Sequence, residues 1–179
     1  MNGLPKKLVT EAWLIHFETT GKGWLRILSG SMAPLIQTGD QICIKKIDPS
    51  HILIGDIITF WKGDILVTHR IISKVRDEKG FCYVERGDRN SQYAVVNAHA
   101  VVGKVIRIKK GEQEIAIESV WWQLFNRLVG LAFLTTRNIR TAGKKIAFIP
   151  APVKRFITKV FALGKILLDK LLFRITKVR

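Results

Sequence analysis

Residues 51–72 read HILIGDIITFWKGDILVTHRII, two runs rich in β-branched residues that are separated by Lys62, Gly63 and Asp64. Val, Ile, Thr and aromatic residues fit the pleated surface of a strand, and a Gly between two such runs supplies the backbone angles of a tight turn. The stretch therefore predicts a β-hairpin. It places His69 on the returning strand.

The same pattern extends on both sides of this hairpin. Short β-branched runs recur from Trp24 to Ile117, and Gly-Asp and Asp-Pro pairs separate them. Strands at this spacing are typical of a compact antiparallel barrel or sandwich, so we expect a mainly β fold. Ahead of them, apolar residues between Leu8 and Phe17 recur at helical spacing, and Gly21 would end this short N-terminal helix.

After Glu118 the sequence pattern becomes helical. The last segment, VKRFITKVFALGKILLDKLLFRITKVR at 153–179, alternates apolar with basic residues, as a basic amphipathic helix does. We therefore expect two parts: a β domain with its N-terminal helix at 1–118, and a basic amphipathic helical region at 119–179.

The charge of the chain is concentrated in this second part. The net charge is +16, from 30 Lys and Arg against 14 Asp and Glu, and residues 121–179 hold 13 of the basic residues but one acidic residue, Asp169. Such a bias predicts an anionic partner. Aromatic residues interleaved with Lys and Arg favour an anionic membrane surface over nucleic acid. A solvated helical face, or packing against the β domain or a second subunit, are the other interpretations.

Membrane contact of this kind would be peripheral. No stretch approaches the ~18 uninterrupted apolar residues of a spanning helix, and the N-terminus does not show the apolar core of a secretory signal. The sequence therefore predicts association with the cytoplasmic face of a membrane rather than insertion across it.

A candidate nucleophile lies in residues 29–34, which read SGSMAP. A serine hydroxyl is a poor nucleophile until a neighbouring base takes its proton. Of the four histidines, His69 alone is predicted in the middle of a strand, where a polar ring needs a partner. In isolation, the two serines would indicate an ordinary hydrogen-bonded turn.

Five motifs in order resemble those of type I signal peptidases and of the wider fold that these enzymes share with LexA-like self-cleaving repressors. They are SGSMAPLIQTGD at 29–40, GDIITF at 55–60, THRII at 68–72, ERGDRN at 85–90 and VVGKV at 101–105. The resemblance covers the chain from Trp24 to Arg107 and implies the same compact β fold. Most bacterial members carry Lys where this sequence has His69, so the resemblance is closer to the archaeal and endoplasmic-reticulum branch, which uses His.

The resemblance implies a serine endopeptidase that cleaves a peptide or a precursor protein and needs no cofactor or metal. Ser31 would attack the scissile carbonyl, and His69 would act as the general base. Asp88 would orient the imidazole of His69. The Ser31 backbone N–H and the Ser29 hydroxyl would face the developing oxyanion.

The resemblance also implies a substrate-binding role for three neighbours of the serine: Gly30, Met32 and Pro34. Gly30 would let the substrate backbone approach closely, Pro34 would fix the loop, and Met32 would present a flexible apolar surface to substrate or membrane. In this family the substrate is expected to pair as a strand with an exposed sheet edge.

The sequence departs from the histidine branch at the third catalytic position. That branch carries a further Asp shortly after the Gly-Asp pair, whereas this chain continues with Asn90, Ser91 and Gln92. Two mechanisms therefore stay open, a triad completed by Asp88 and a Ser31/His69 dyad.

Two other functions are compatible with the same residues. The first is an inactive lipid- or nucleic-acid-binding module on a peptidase-like scaffold, which the missing Asp suggests. The second is a LexA-like self-cleaving protein, which the sequence favours less because no Ala-Gly cleavage site lies upstream of the β region.

Overall fold

The computed structural model describes residues 6–77 and 80–143. Their eight strands form one antiparallel sheet that curls into a half-barrel, which confirms the predicted mainly β fold. The strands are Lys22–Arg26 (β1), Gln41–Lys45 (β2), Ile57–Lys62 (β3), Ile65–Asp77 (β4), Gly80–Arg86 (β5), Ala94–Asn97 (β6), Val101–Lys110 (β7) and Gln113–Ala116 (β8). The strand order is β1-β2-β7-β3-β4-β5-β6, and β8 pairs with β7.

The predicted hairpin at 51–72 forms the centre of this sheet. Strands β3 and β4 pair from Lys62 opposite Ile65 to Ile57 opposite Arg70, and Gly63 adopts a φ of 59° in the turn between them. Strand β4 continues past β3 and pairs with β5 along most of its length. His69 therefore lies on an inner strand with neighbours on both sides.

Two helices flank the sheet, Lys6–Thr20 (α1) and Val120–Gly143 (α2), and short 3₁₀ turns occur at Pro49–His51 and Ala98–Ala100. The indole of Trp13 on α1 donates a hydrogen bond to the Trp24 carbonyl at 2.9 Å and stacks on Phe17. Gly21 ends this helix with a φ of 67°, as its sequence predicts.

The core of the sheet holds Phe17, Ile36, Ile42, Ile44 and Ile108, each at most 1% exposed. Burying one such side chain stabilises the fold by about 1.5–3 kcal/mol. Because Ile36 comes from the loop between β1 and β2, this core also anchors the loop that carries the two serines.

Helix α2 packs against the sheet beside β4 and β5. Val129 and Phe133 of α2 form a buried cluster with Ile72 and Val84 of those strands. Packing against the β domain, one of the interpretations of the 119–179 region, is therefore what the structure shows for this helix. The amphipathic segment predicted beyond it lies outside the described residues.

The helices of residues 6–77 and 80–143 fall short of what a bilayer requires. None of those in this part of the chain is both long and apolar enough to cross a membrane.

Candidate active site

Ser31 lies in the loop 27–40, which connects β1 to β2. Two backbone hydrogen bonds close the base of the loop, from Ile27 N–H to the Asp40 carbonyl at 2.8 Å and from Gly39 N–H to the Ile27 carbonyl at 2.9 Å. The Asp40 carboxylate also accepts the Gln37 N–H at 2.8 Å. The loop is thus held at its ends, and Ser31 lies within it.

The structure brings Ser31 and His69 together although they are far apart in sequence. The distance from His69 Nε2 to Ser31 Oγ is 3.1 Å, within hydrogen-bond range. The imidazole comes from the inner strand β4, and the Phe60 ring of β3 approaches its edge. A rigid strand therefore presents the ring to the serine.

Glu85, which the sequence analysis did not identify, contacts the other nitrogen of this ring. Its Oε2 atom lies 2.5 Å from His69 Nδ1, and the residue is 4% exposed. A buried carboxylate in this position can hold the imidazole in one tautomer and stabilise the imidazolium that forms when the ring takes a proton. Ser31, His69 and Glu85 form a continuous hydrogen-bonded chain.

The strand register explains why Glu85 faces His69. Glu85 of β5 lies opposite Ile71, two residues along β4 from His69 and therefore on the same face of the sheet. Residues diagonal to each other across an antiparallel pair are within reach of long side chains. His69 and Glu85 are such a diagonal pair.

Asp88 pairs with Arg70 and does not contact His69, the partner that the sequence predicts for it. Its two carboxylate oxygens accept hydrogen bonds from Arg70 Nε and Nη2, each at 2.8 Å. Asp88 lies in the turn after β5, and its partner Arg70, the neighbour of His69 on β4, points to the opposite face of the sheet from His69. The structure therefore does not place Asp88 against His69, and this expectation is corrected in favour of Glu85.

Arg70 connects this ion pair to helix α2. The guanidinium is 1% exposed, and its Nη1 atom donates to the Gly55 carbonyl at 3.0 Å and to Asn126 Oδ1 at 2.8 Å. A buried charge is tolerated when it is paired and hydrogen-bonded, as it is here. Arg70 thus ties the loop after β5, the turn before β3 and α2 into one buried network.

The loop after β5 also touches the serine directly. The Arg89 N–H donates to the Ser31 carbonyl at 2.9 Å. A Cβ atom added to Gly87 would lie 2.7 Å from that carbonyl oxygen and 3.0 Å from His69 Nε2. Only a glycine lets the loop, Ser31 and His69 approach this closely.

The remaining predicted site residues lie around Ser31. The Ser29 hydroxyl is 3.5 Å from Ser31 Oγ, at the limit of hydrogen bonding. Gly30 is half-buried and Pro34 is exposed, so both are open to a ligand.

Met32, by contrast, is 2% exposed and packs in the core with Leu35 and Ile36. The Ile36 N–H bonds to the Met32 carbonyl at 3.1 Å, so the chain makes one helical turn there and these side chains share its inner side. The expectation that Met32 presents a surface to substrate or membrane is corrected: its side chain anchors the loop.

In residues 6–77 and 80–143, no cluster of three or more His, Cys, Asp or Glu side chains is arranged to hold a metal ion.

Comparison with known proteins gives one similarity of note. No family model matches the chain. It is 37% identical over 67 residues to signal peptidase I W of Bacillus subtilis (strain 168), an alignment that covers 36% of this chain and 35% of that protein. The chain thus spans about a third of the length of the curated relative that it matches. Together with the half-barrel sheet, this partial similarity supports a signal-peptidase-like family and a peptidase class for the protein.

Proposed function

We propose that the protein is a serine endopeptidase of the signal-peptidase-like class, in which Ser31 is the nucleophile, His69 the general base and Glu85 the carboxylate that orients it. The observation that carries the proposal is the chain of two contacts through one ring, 3.1 Å from Ser31 Oγ to His69 Nε2 and 2.5 Å from His69 Nδ1 to Glu85. A base within hydrogen-bond reach of a hydroxyl, itself oriented by a third group, is the arrangement that activates a serine.

In the first step, the neutral His69 accepts the Ser31 proton at Nε2 while Oγ attacks the scissile carbonyl. The imidazolium keeps its Nδ1 proton and is stabilised by the Glu85 carboxylate. The imidazolium then gives the Nε2 proton to the amine of the scissile bond. The C–N bond breaks, the amine departs, and an acyl-enzyme on Ser31 remains. In the second step, water attacks the acyl-enzyme while His69 again accepts a proton. Ser31 regains its proton from His69 as the carboxylic acid product departs. General base catalysis of this kind contributes about 10²- to 10⁴-fold in rate.

We assign stabilisation of the oxyanion to the Ser31 backbone N–H and the Ser29 hydroxyl. The support is the position of Ser29, whose hydroxyl lies on the same side of the loop as the nucleophile. One such donor is worth about 10²- to 10³-fold in rate. Gly30 and Pro34 would contact the substrate, since neither is buried in the core.

The histidine at position 69 supports placing the protein beside the archaeal and endoplasmic-reticulum members that it resembles, rather than those that use Lys. In this chain the base has two functional nitrogens and each has a partner. A Lys side chain has a single nitrogen and no tautomers, so a carboxylate beside it could not fix one tautomer by accepting a proton from a second nitrogen. Glu85 therefore belongs to a site built for imidazole.

The test uses the full chain and a mixture of synthetic peptides, with cleavage followed by mass spectrometry. The wild type is expected to cut a subset of the peptides, and Ser31→Ala is expected to cut none. Ser91→Ala is the matched control, because Ser91 is an exposed loop serine of the same chemistry. A serine-reactive phosphonate should label the wild type at Ser31 and should not label His69→Ala.

Two results would contradict the proposal. Cleavage at the wild-type rate by Ser31→Ala would show that another group acts as the nucleophile. Absence of both cleavage and labelling in the wild type would favour an inactive binding module on the same scaffold.

A further inference from the structure

Helix α2 has two apolar faces, and the sheet covers one of them. Val129 and Phe133 are 7% and 2% exposed against the sheet. On the other side, five large apolar side chains are exposed by 47% to 80%: Val120, Trp121, Leu124, Leu128 and Leu131. We call this set the outer face of α2.

The outer face is continuous along three turns of the helix. Trp121, Leu124, Leu128 and Leu131 follow one another at intervals of three and four residues, the spacing that aligns side chains along one side of a helix. Single exposed apolar residues are normal on a protein surface, whereas a contiguous exposed patch marks an interaction site.

The charged residues of the helix that carries this face are all of one sign. Residues 120–143 contain Arg127, Arg137 and Arg140 and no acidic residue, and residues 144–179 add ten basic residues against Asp169. An apolar stripe accompanied by basic residues, with a Trp near one end, has the composition of a helix that lies in a membrane interface.

We propose that the outer face of α2 is a docking surface for an anionic lipid bilayer, with the helix lying along the membrane and its inner face still packed on the sheet. Apolar side chains would enter the boundary between headgroups and acyl chains, and the basic residues would contact lipid phosphates. This inference goes beyond the proposed peptidase activity and does not depend on it.

Charge complementarity selects lipid over the protein occupants of this face. A second copy would bring two cationic surfaces together, and residues 144–179 of the same chain carry the same sign of charge. An anionic surface attracts basic residues, and each one close to the surface raises the partition coefficient by about fivefold at low salt.

The experiment is sedimentation of the full-length protein with vesicles, either phosphatidylcholine alone or phosphatidylcholine mixed with phosphatidylglycerol. We compare the wild type with Leu124→Gln/Leu128→Gln and, as a milder second variant, Trp121→Ala at the most exposed position of the set. The control is Ile65→Gln/Val95→Gln, which changes two β-sheet residues that are 62% and 69% exposed.

We expect the wild type and the control to bind the anionic vesicles, with binding that weakens as salt rises. The double Leu variant should partition at least about tenfold less, because each half-exposed Leu loses a large part of its transfer energy. Trp121→Ala should partition less by a smaller factor. Thermal melts of all the variants should match the wild type, since none of the changed side chains is buried.

Three outcomes would overturn the proposal. Equal binding by the wild type and the double Leu variant would show that basic charge alone attracts the protein. Concentration-dependent self-association that the Leu changes abolish would make a second copy the occupant. A clear loss of thermal stability in the Leu variant, without a change in vesicle binding, would show that the chain itself covers the face.

Discussion

The His69 ring lies between Ser31 and Glu85, with its Nδ1 atom 2.5 Å from a carboxylate that is almost completely buried. Asp88, three residues further along, instead accepts hydrogen bonds from Nε and Nη2 of Arg70. Two acidic residues of one short segment therefore have separate tasks, and substitutions can separate them.

Glu85→Gln should reduce activity while leaving the fold intact. Gln keeps the shape and a hydrogen bond but removes the charge that stabilises the imidazolium, and it can stabilise the wrong tautomer of His69. We expect kcat/KM to fall by about 10²- to 10⁴-fold. The measurement is peptide cleavage by the full chain, with circular dichroism to verify folding. Activity within a factor of two or three of the wild type would indicate a Ser31/His69 dyad.

Asp88→Ala should act on stability first. It leaves the Arg70 guanidinium buried without its carboxylate, a change that costs about 3–5 kcal/mol in the free energy of unfolding. Urea denaturation of Asp88→Ala and the wild type gives the difference. The control is Glu114→Ala, which removes the partner of the exposed Arg107 and should cost about 0–1 kcal/mol. Equal losses in the free energy of unfolding would show that the Arg70–Asp88 pair contributes no more than an exposed ion pair.

The assignment of Glu85 depends on a feature that the sequence does not reveal. At the hairpin end, Asp77 lies opposite Gly80, and this register continued without interruption would put His69 opposite Asp88. Instead, β4 has a β-bulge at Ile72, which has no partner on β5, so the pairing beyond it is shifted by one residue. A shift of one residue exchanges the two faces of a strand. Because Ile72 looks like any other strand residue, alternation along the sequence could not choose between Glu85 and Asp88.

Other parts of the site could be predicted from the sequence to different degrees. The hairpin and its Gly63 turn follow from short-range patterns, since turn chemistry and strand propensity are local. The pairing of Ser31 with His69 came instead from the resemblance carried by five motifs in order. The burial of Met32 had a signal, because Met32, Leu35 and Ile36 have the spacing of one helical turn. The hydrogen bond from Arg70 to Asn126 had no local sequence signal, because the two residues are 56 positions apart.

Gly87→Ala should lower kcat more than it raises KM. The added methyl would stand 2.7 Å from the Ser31 carbonyl and 3.0 Å from His69 Nε2, so the serine or the ring must move. Displacement of reacting groups by about 1 Å can cost about 10²-fold in rate. Gly30→Ala is the matched control: its methyl would have no neighbour nearer than 3.8 Å. If Gly30 faces the substrate backbone, that variant should fold normally and raise KM, as steady-state kinetics of both variants would report.

Helix α2 should behave as a part of the β domain rather than as an appendage. The sequence predicts a boundary at Glu118, yet Asn126 completes the Arg70 network and Gly130 lies against the backbone of Gly55. Asn126→Ala removes one acceptor from a buried guanidinium and should cost about 1–3 kcal/mol. Gly130→Ala should destabilise as well, since its methyl would lie 2.7 Å from Gly55 backbone atoms. Chemical denaturation of both variants checks the prediction, and wild-type stability in both would restore the boundary at Glu118.

Tyr83 should make the folded protein sensitive to alkaline pH. Burial, with a further contribution from the Asp48 charge, raises the pKa of its phenol to about 12 from an ordinary value near 10. The side chain is 0% exposed and donates its hydroxyl proton to the Pro49 carbonyl. Below about pH 10 the phenol is neutral in both states. Above that pH the unfolded chain loses the proton first, so stability falls as pH rises through the folded pKa. A difference of this size between the folded and unfolded pKa corresponds to about 3 kcal/mol of stability.

Tyr83→Phe isolates this effect from the titration of the many lysines. The variant should be less stable than the wild type by about 1 kcal/mol at neutral pH, because the Pro49 carbonyl loses its donor. The difference should then shrink and reverse in sign between about pH 10 and 12, since Phe has no proton to lose. Urea midpoints of both proteins across this range measure it. A difference that stays constant with pH would mean that the Tyr83 phenol ionises as readily in the folded chain as in the unfolded one.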